Sequence, residues 1–172
     1  MLSGLLYDPT DPQLVLERKQ ARSHLHRLNS TDYGNAEKYL EIISRLLPNC
    51  ASDIRIEPPF FCDYGYNIYT GNNVFFNFNC VVLDVCSVQI GSHVMFGPGV
   101  HIYTATHPKE SLKRRDVFEF GKPVSIGEDS WIGGQAVILP GVQIGSRCII
   151  GAGSVIAKDI PDDTVVSGRM QD

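Results

Sequence analysis

Between Ile90 and Ile160 the apolar positions recur every six residues. The units read IGSHVM and FGPGVH, then, after an interruption, IGEDSW, IGGQAV, ILPGVQ, IGSRCI, IGAGSV and IAKDIP. The leading position is Ile or Phe throughout, from Ile90 and Phe96 to Ile150 and Ile156, and Gly is its commonest follower. The fifth position is small or β-branched, as at Val94, Ala136, Cys148 and Ser154. An amphipathic helix repeats at about 3.6 residues and an alternating strand at 2, so neither explains a period of six. A solenoid does, with each unit one short strand plus a corner. The chain is therefore expected to be an all-β solenoid whose Ile residues stack from coil to coil. The Gly beside each Ile is expected to leave room at the corner and to tolerate backbone angles that other residues resist.

Upstream the pattern changes twice. Residues 11–28 read as a helix, with Asp11 as its cap and Pro12 at its first position. Leu14, Val15, Ala21, Leu25 and Leu28 form its irregular apolar side. A second helix is expected over 34–47, with Tyr39, Ile42, Ile43, Leu46 and Leu47 on one face and Pro48 ending it. From Ile54 the helix signal stops. IRIEPPF, FFCDYGYNIYTG and NNVFFNFNCVVLDVCSVQIG carry aromatic and β-branched residues with Gly and Asn corners. Ile68, Val74 and Cys80 keep the sixes, but the next clear register begins at Ile90, so extra residues near Val82 to Cys86 must be absorbed at a corner or bulge. The division expected is a helical segment over 1–53 and a β-helix over 54–172. The repeat is broken at about 103–123 by YTATHPKESLKRRDVFEFGKP, too charged to enter an apolar column and so expected to project as a loop.

Composition narrows the function. The 172 residues carry a net charge of -4, with no basic excess to drive nonspecific nucleic-acid binding. No run approaches the length of a membrane span, and the start lacks the pattern of a signal peptide. Cys50, Cys62, Cys80, Cys86 and Cys148 show no CxxC spacing and read as reduced thiols of a cytoplasmic protein, Cys80 and Cys148 as small core residues.

The motifs MLSGLLYD, EPPFFCDYG, FFNFN, TATHP, GKPVSIGEDSWIGG and IGAGSVIAKDIP resemble the hexapeptide-repeat acyltransferases, and within them the maltose, galactoside and nodulation O-acetyltransferase group. The resemblance implies a left-handed parallel β-helix, acetyl-CoA as cosubstrate, a sugar-like hydroxyl acceptor and a homotrimer whose projecting loop encloses a neighbour's site. It implies that His107, in TATHP, is the general base; a neutral imidazole suits that work at ordinary pH. Asn77, in FFNFN, matches an asparagine that touches the acceptor; a corner hydrogen bond is its other reading. Asp63 stands where the galactoside enzyme has an acceptor-contacting serine. Asp84 is a shifted candidate for acceptor binding, since the second of two aspartates there corresponds to Val85; its other reading is a solvated corner. Glu119 is a candidate for orienting the imidazole or accepting from a sugar hydroxyl, although the galactoside enzyme has methionine there. Tyr64, Tyr66, Phe76 and Trp131 are candidates to wall the pocket, Trp131 also to pack between subunits.

Coenzyme A is expected along the later coils, at Gly134, Ala152, Ala157 and Lys158, with Lys158 pairing a phosphate. Relatives carry arginines near the nucleotide in a segment where this chain reads SGRMQD. That implies either weaker coenzyme affinity or a tail beyond Asp172, with Arg169 out of register. No cysteine stands in a nucleophile context, so transfer is expected to be direct. Two other classes compete. One is a zinc enzyme of the γ-carbonic anhydrase kind using His93, His101 and His107, against which their spacing speaks. The other is a β-helix scaffold without catalysis. No metal is expected.

Overall fold

The computed structural model describes residues 1–31 and 35–167. Two helices lead into a parallel β-solenoid of three sheets. The first face stacks Arg55–Ile56, Phe75–Phe76, Met95–Phe96, Trp131–Ile132, Ile149–Ile150 and Val165–Val166. The second stacks Phe60–Cys62, Cys80–Leu83, His101–Tyr103, Val137–Ile138 and Val155–Ile156. The third stacks Ile68–Thr70, Val88–Ile90, Val124–Ile126 and Gln143–Ile144, with Ile160 bridged to Ile144. This is the parallel β-helix with an N-terminal helical segment that the sixes and the resemblance foretell.

The residues that lead the sixes point inward and sit on one another. Phe76, Phe96, Ile132 and Ile150 are successive partners on the first face, and Val82, Ile102, Ile138 and Ile156 on the second. All eight are buried, and burying such a side chain is worth roughly 1.5–3 kcal/mol. The wider early coils are filled by Phe60, Phe76 and Phe96; the last two stack with centroids 4.3 Å apart. Cys80 and Cys148 are buried core residues, as read from their context.

Register explains why the sixes blur upstream. On the first face Arg55 pairs Phe75 and Phe75 pairs Met95, a coil of twenty residues, whereas Trp131 pairs Ile149, a coil of eighteen. All the difference falls at the edge between the second and third faces. Along the inward columns Cys62 is eight residues from Thr70, and Val82 is eight from Ile90. Ile102 is twenty-four from Ile126, Ile138 six from Ile144, and Ile156 four from Ile160. The other two edges keep a step of six. The solenoid therefore absorbs every insertion at one edge.

Of the two causes expected for the glycines beside the column, room at the corner holds and unusual backbone angles do not. Gly91, Gly127 and Gly145 do not have positive φ. A Cβ on Gly91 would come within 2.5 Å of the Glu128 amide nitrogen, and one on Gly127 within 2.4 Å of that of Ser146. Glycine is needed there because the next coil's backbone passes too close for a side chain. The left-handed residue comes two positions later and is usually not glycine: Asn73, His93, Asp129, Arg147 and Asp163 occupy one edge with φ of 57–61°. Asn and Asp accept this region at lower cost than most residues.

The helices close the solenoid's N-terminal end. The first helix, Pro12–Asn29, starts on an Asp11 side chain that accepts from the amides of Gln13 and Leu14. The second, Ala36–Leu46, is capped by Asn35, and residue 34 of the expected span lies outside the described residues. Ala21, Leu25, Leu28, Ile42, Ile43 and Leu46 join the solenoid core; Leu14 and Val15 stay only half-buried. The first coil would otherwise expose unpaired strand edges. The Asn29 amide donates to the Phe60 carbonyl at 3.0 Å and accepts from its N–H at 2.9 Å. The Tyr39 hydroxyl does the same for Ile56, at 2.9 and 2.8 Å. Among the described residues no helix is long and apolar enough to cross a membrane. Arg169 lies outside the described residues.

Candidate active site

The edge that absorbs the insertions also builds a cavity. Three successive corners there are long: 63–67, 84–87 and the loop that leaves the second face after His101–Tyr103. The loop departs through Ala105–Thr106, forms a short helix over Ser111–Arg115, and returns through Phe120–Gly121, which pairs antiparallel with Ala105–Thr106. Together with the first helix these corners enclose a cavity of about 320 Å³. Its lining is Asp63 and Tyr64 from the first corner, Leu83 and Val85 from the second, and Ala105, His107 and Glu119 from the loop. Pro9, Arg18 and Arg22 close the other side.

His107 stands at this cavity with its side chain 46% exposed. Its Nδ1 lies 3.2 Å from the Phe118 carbonyl oxygen. A carbonyl only accepts, so in the neutral ring the hydrogen belongs on Nδ1 and the lone pair on Nε2. Nε2 faces Glu119, whose Oε1 is 3.8 Å away. That is too long for a hydrogen bond. The other Glu119 oxygen, Oε2, accepts from the Tyr7 hydroxyl at 2.7 Å. Burial raises the Tyr7 phenol well above its ordinary value, and the Glu119 carboxylate adds to the effect.

Asp63 is partly buried, and its carboxylate makes no hydrogen bond among the described residues. Burial pushes its pKa up and the charge of Glu119 adds to this, while Arg18 and Arg22 oppose it. Arg18 is held in place by donating to the Tyr64 hydroxyl at 2.6 Å and to the Pro9 carbonyl. The cavity thus sets two carboxylates against two guanidinium groups, a lining with acceptors and donors suited to a polyhydroxyl ligand.

Asp84 differs from both of its sequence readings: it neither faces the cavity as an acceptor ligand nor lies in solvent. It is fully buried. Its Oδ1 accepts from the amides of Asp63 and Tyr64, both at 2.9 Å, and its Oδ2 from that of Gly65 at 2.7 Å. Burial lifts its carboxyl to about 7 against the opposing pull of these donors. The Asn67 side chain then donates to the Asp84 carbonyl at 2.6 Å, and Thr104 ties the second corner to the third through Cys86 and Leu83. Asp84 is the post around which the first corner turns, and it places Asp63 and Tyr64 in the cavity wall.

The remaining expected residues lie elsewhere. Asn77 sits on the edge between the first and second faces, where its side chain accepts from the Phe78 amide at 2.8 Å. It does not line the cavity that holds His107. Gly134 and Ala152 occupy the same edge as Asn77, one corner above another, since a Cβ on Gly133 would meet the Ala152 nitrogen at 2.6 Å. Their side-chain space is small or open, as at Gly153, where an added Cβ meets nothing within 4 Å, so a narrow chain could lie against this backbone. Ala157 and Lys158 are exposed on the His107 edge, in the last coil.

Of the four residues proposed to wall the pocket, Tyr64 does so. Tyr66 turns to the first helix and donates to Glu17, Phe76 is in the core, and Trp131 is half exposed on the outside of the first face. The three histidines of the zinc reading are not brought together. His93 is at a corner, and His101 pairs its Nδ1 with the Tyr103 hydroxyl at 2.6 Å. Among the described residues no cluster of His, Cys, Asp or Glu has metal-binding geometry. The sequence reading missed Tyr7, Arg18 and Arg22 as site residues. The two arginines were visible only as charges on a helix, and Tyr7 only as part of a motif.

Known proteins share this fold. The family described as bacterial transferase hexapeptide (six repeats) matches residues 123–158, and the maltose acetyltransferase hexapeptide capping motif matches 1–51. The structure of a maltose O-acetyltransferase from Clostridium difficile 630 superposes with a TM-score of 0.95 at 44% identity, covering 97% of this chain and 89% of that one. A galactoside acetyltransferase in complex with coenzyme A gives 0.93 at 32% identity, over 96% of this chain and 83% of that one. The galactoside O-acetyltransferase of Lactococcus lactis subsp. lactis is 38% identical over 95% of this chain and 79% of its own length. Repeat, cap and coverage together make this chain a member of the hexapeptide-repeat, coenzyme A-dependent acetyltransferases of the maltose and galactoside O-acetyltransferase group.

Proposed function

We propose that the protein transfers an acetyl group from acetyl-CoA to a hydroxyl of a sugar or sugar-like acceptor, with His107 as general base. The observation that carries this reading is the His107 ring itself. Nδ1 is tied to a carbonyl, Nε2 is left with its lone pair at a polar cavity, and a carboxylate stands 3.8 Å away. Nε2 takes the proton as the acceptor oxygen attacks the thioester carbonyl, and the coenzyme leaves as its thiolate. Glu119 then faces the imidazolium just formed and favours it. Asp63, Arg18 and Arg22 orient the acceptor by its other hydroxyls. No acyl-enzyme is needed: Cys62 and Cys86, next in sequence to the cavity residues Asp63 and Val85, are both buried, and burial raises both thiols above their ordinary value.

The placement of Asn77 supports a site shared between copies. Asn77, Gly134 and Ala152 lie on one edge and His107 on another, so a single chain does not unite them. A homotrimer in which the His107 edge of one copy meets the Asn77 edge of the next does unite them, through a head-to-tail interface that closes on itself. The outward residues agree. Met95, Trp131, Ile149 and Val165 leave an exposed apolar stripe on the first face, and Phe61 and Phe78 extend it toward the second. The third face presents Tyr69, Gln89, Ser125 and Gln143, a more polar row. The apolar stripe thus flanks the Asn77 edge, where such an interface needs it. Sedimentation equilibrium is expected to give three chains per particle, and a fully active monomer would end the shared-site reading.

The acceptor class is tested by assaying maltose, glucose, galactosides, chitooligosaccharides and simple alcohols with acetyl-CoA. Transfer to at least one saccharide and not to simple alcohols is the expected result; transfer to the simple alcohols alone would reject the sugar acceptor. Lys158→Ala is expected to weaken acetyl-CoA binding in calorimetry and to leave acceptor preference as it is. Unchanged affinity would remove Lys158 from the coenzyme site.

A further inference from the structure

Glu119 is the carboxylate that faces His107, and it is not held by its own loop. Its hold comes from the other end of the chain. Tyr7 and Glu119 form an antiparallel bridge and exchange both backbone bonds, the Tyr7 N–H donating at 2.9 Å and the Glu119 N–H at 3.1 Å. The N-terminal segment is therefore pinned by one bridge beside the Ala105–Thr106 and Phe120–Gly121 hairpin. In such a directly opposed pair the two side chains leave on the same face of the ribbon. There the Tyr7 hydroxyl donates to Glu119 Oε2 at 2.7 Å, while Oε1 is the oxygen 3.8 Å from His107 Nε2.

We infer that Tyr7 is a positioning residue for the transfer reaction, fixing the Glu119 carboxylate by one oxygen so that the other faces the His107 ring. The inference rests on the proposed roles of His107 and Glu119. Left alone, a glutamate side chain has several rotatable bonds and would spread over many rotamers. Two guanidinium groups, Arg18 and Arg22, line the same cavity and are competing partners for a loose carboxylate. Arg18 is kept from it by the Tyr64 hydroxyl and the Pro9 carbonyl. Because burial and Glu119 hold the Tyr7 phenol far above its ordinary value, it remains a protonated donor throughout the working range of the enzyme.

Tyr7→Phe isolates this bond. The ring stays, and so does the backbone bridge. The segment is also anchored beyond Tyr7, where Gly4 packs on the Gly121 carbonyl and the Cys86 thiol lies 3.7 Å from the Met1 carbonyl. The experiment is a cycle of Tyr7→Phe, Glu119→Ala and the double variant, with His107→Ala measured alongside. In the native background Tyr7→Phe is expected to lower kcat about tenfold, the effect of one charge-assisted hydrogen bond. The KM for acetyl-CoA should not change. In the Glu119→Ala background the same substitution should cost nothing further, because its target is gone. A purely structural role would lower kcat by the same factor in both backgrounds and would overturn the inference, as would an unchanged kcat in Tyr7→Phe. If His107→Ala is inactive while Tyr7→Phe is normal, the role of Tyr7 alone fails. If His107→Ala stays active, it is the assignment of the base that fails.

Discussion

His107→Ala is expected to lose about 10²–10⁴ in kcat, the contribution of a positioned general base. The loss should appear in kcat because the ring accepts its proton only as the acceptor oxygen attacks. Acetyl-CoA affinity and particle mass should hold, since His107 is in the projecting loop, outside the Ile columns, and its ring acts on the acceptor hydroxyl. His93→Ala and His101→Ala are the controls. One sits at a stacking corner and the other pairs with Tyr103 on the outside of the second face. Each should keep nearly all the transfer rate. Steady-state assays on the best acceptor, with coenzyme binding measured for every variant, decide the matter. Near-normal kcat in a correctly assembled His107→Ala protein would falsify the assignment.

Asp84→Ala is expected to be the most damaging single change to stability among the site residues. The carboxylate is fully buried and takes three backbone amides at 2.7–2.9 Å. Alanine fills none of that role and leaves these donors without their acceptor. An unsatisfied buried donor costs about 1–3 kcal/mol, and relaxation of the corner recovers part of the sum, so a loss of about 3–5 kcal/mol is expected. Asp63→Ala is the comparison: it removes a neighbouring carboxylate that makes no hydrogen bond among the described residues and should change stability by under about 1 kcal/mol. Urea unfolding of both variants measures the difference. The Asp84→Ala protein should also show a raised KM for the acceptor, since Asp63 and Tyr64 lose their placement. A midpoint equal to that of Asp63→Ala would show that the corner does not depend on this carboxylate.

The sequence carried the solenoid because an inward column needs the same kind of residue at each level, and Ile90, Ile126 and Ile144 are written in the chain as plainly as they are stacked in space. It carried the loop because charged residues have no place in such a column. Upstream the signal weakened for a geometric reason. The eight-residue step from Val82 to Ile90 shifts the period, and Phe76 and Val82 stand where later coils have Ile. His107 was legible from its motif, whereas what surrounds it was not. The amides that hold Asp84 are backbone groups, which look the same at every position in a sequence. Tyr7 and Glu119 meet across 112 residues, and only the docking of the N-terminal segment on the loop makes them neighbours. The division of Asn77 and His107 between two edges follows from counting coils, which requires the length of every corner.

The confinement of all length variation to one edge has a consequence for how such a protein can change. A step of eight, twenty-four, six or four residues between the second and third faces leaves the columns on either side in register. Segments at that edge can thus differ in length without shifting the scaffold, like books of different depth on a shelf whose spines stay aligned. The six-residue step from Ile138 to Ile144, which contains Pro140 and Gly141, is a short member of the set directly beyond the loop. A foreign segment inserted there should be carried without loss of folding, and it would project beside the His107 loop. Acceptor preference could then be rebuilt by grafting, with no substitution in the core at all.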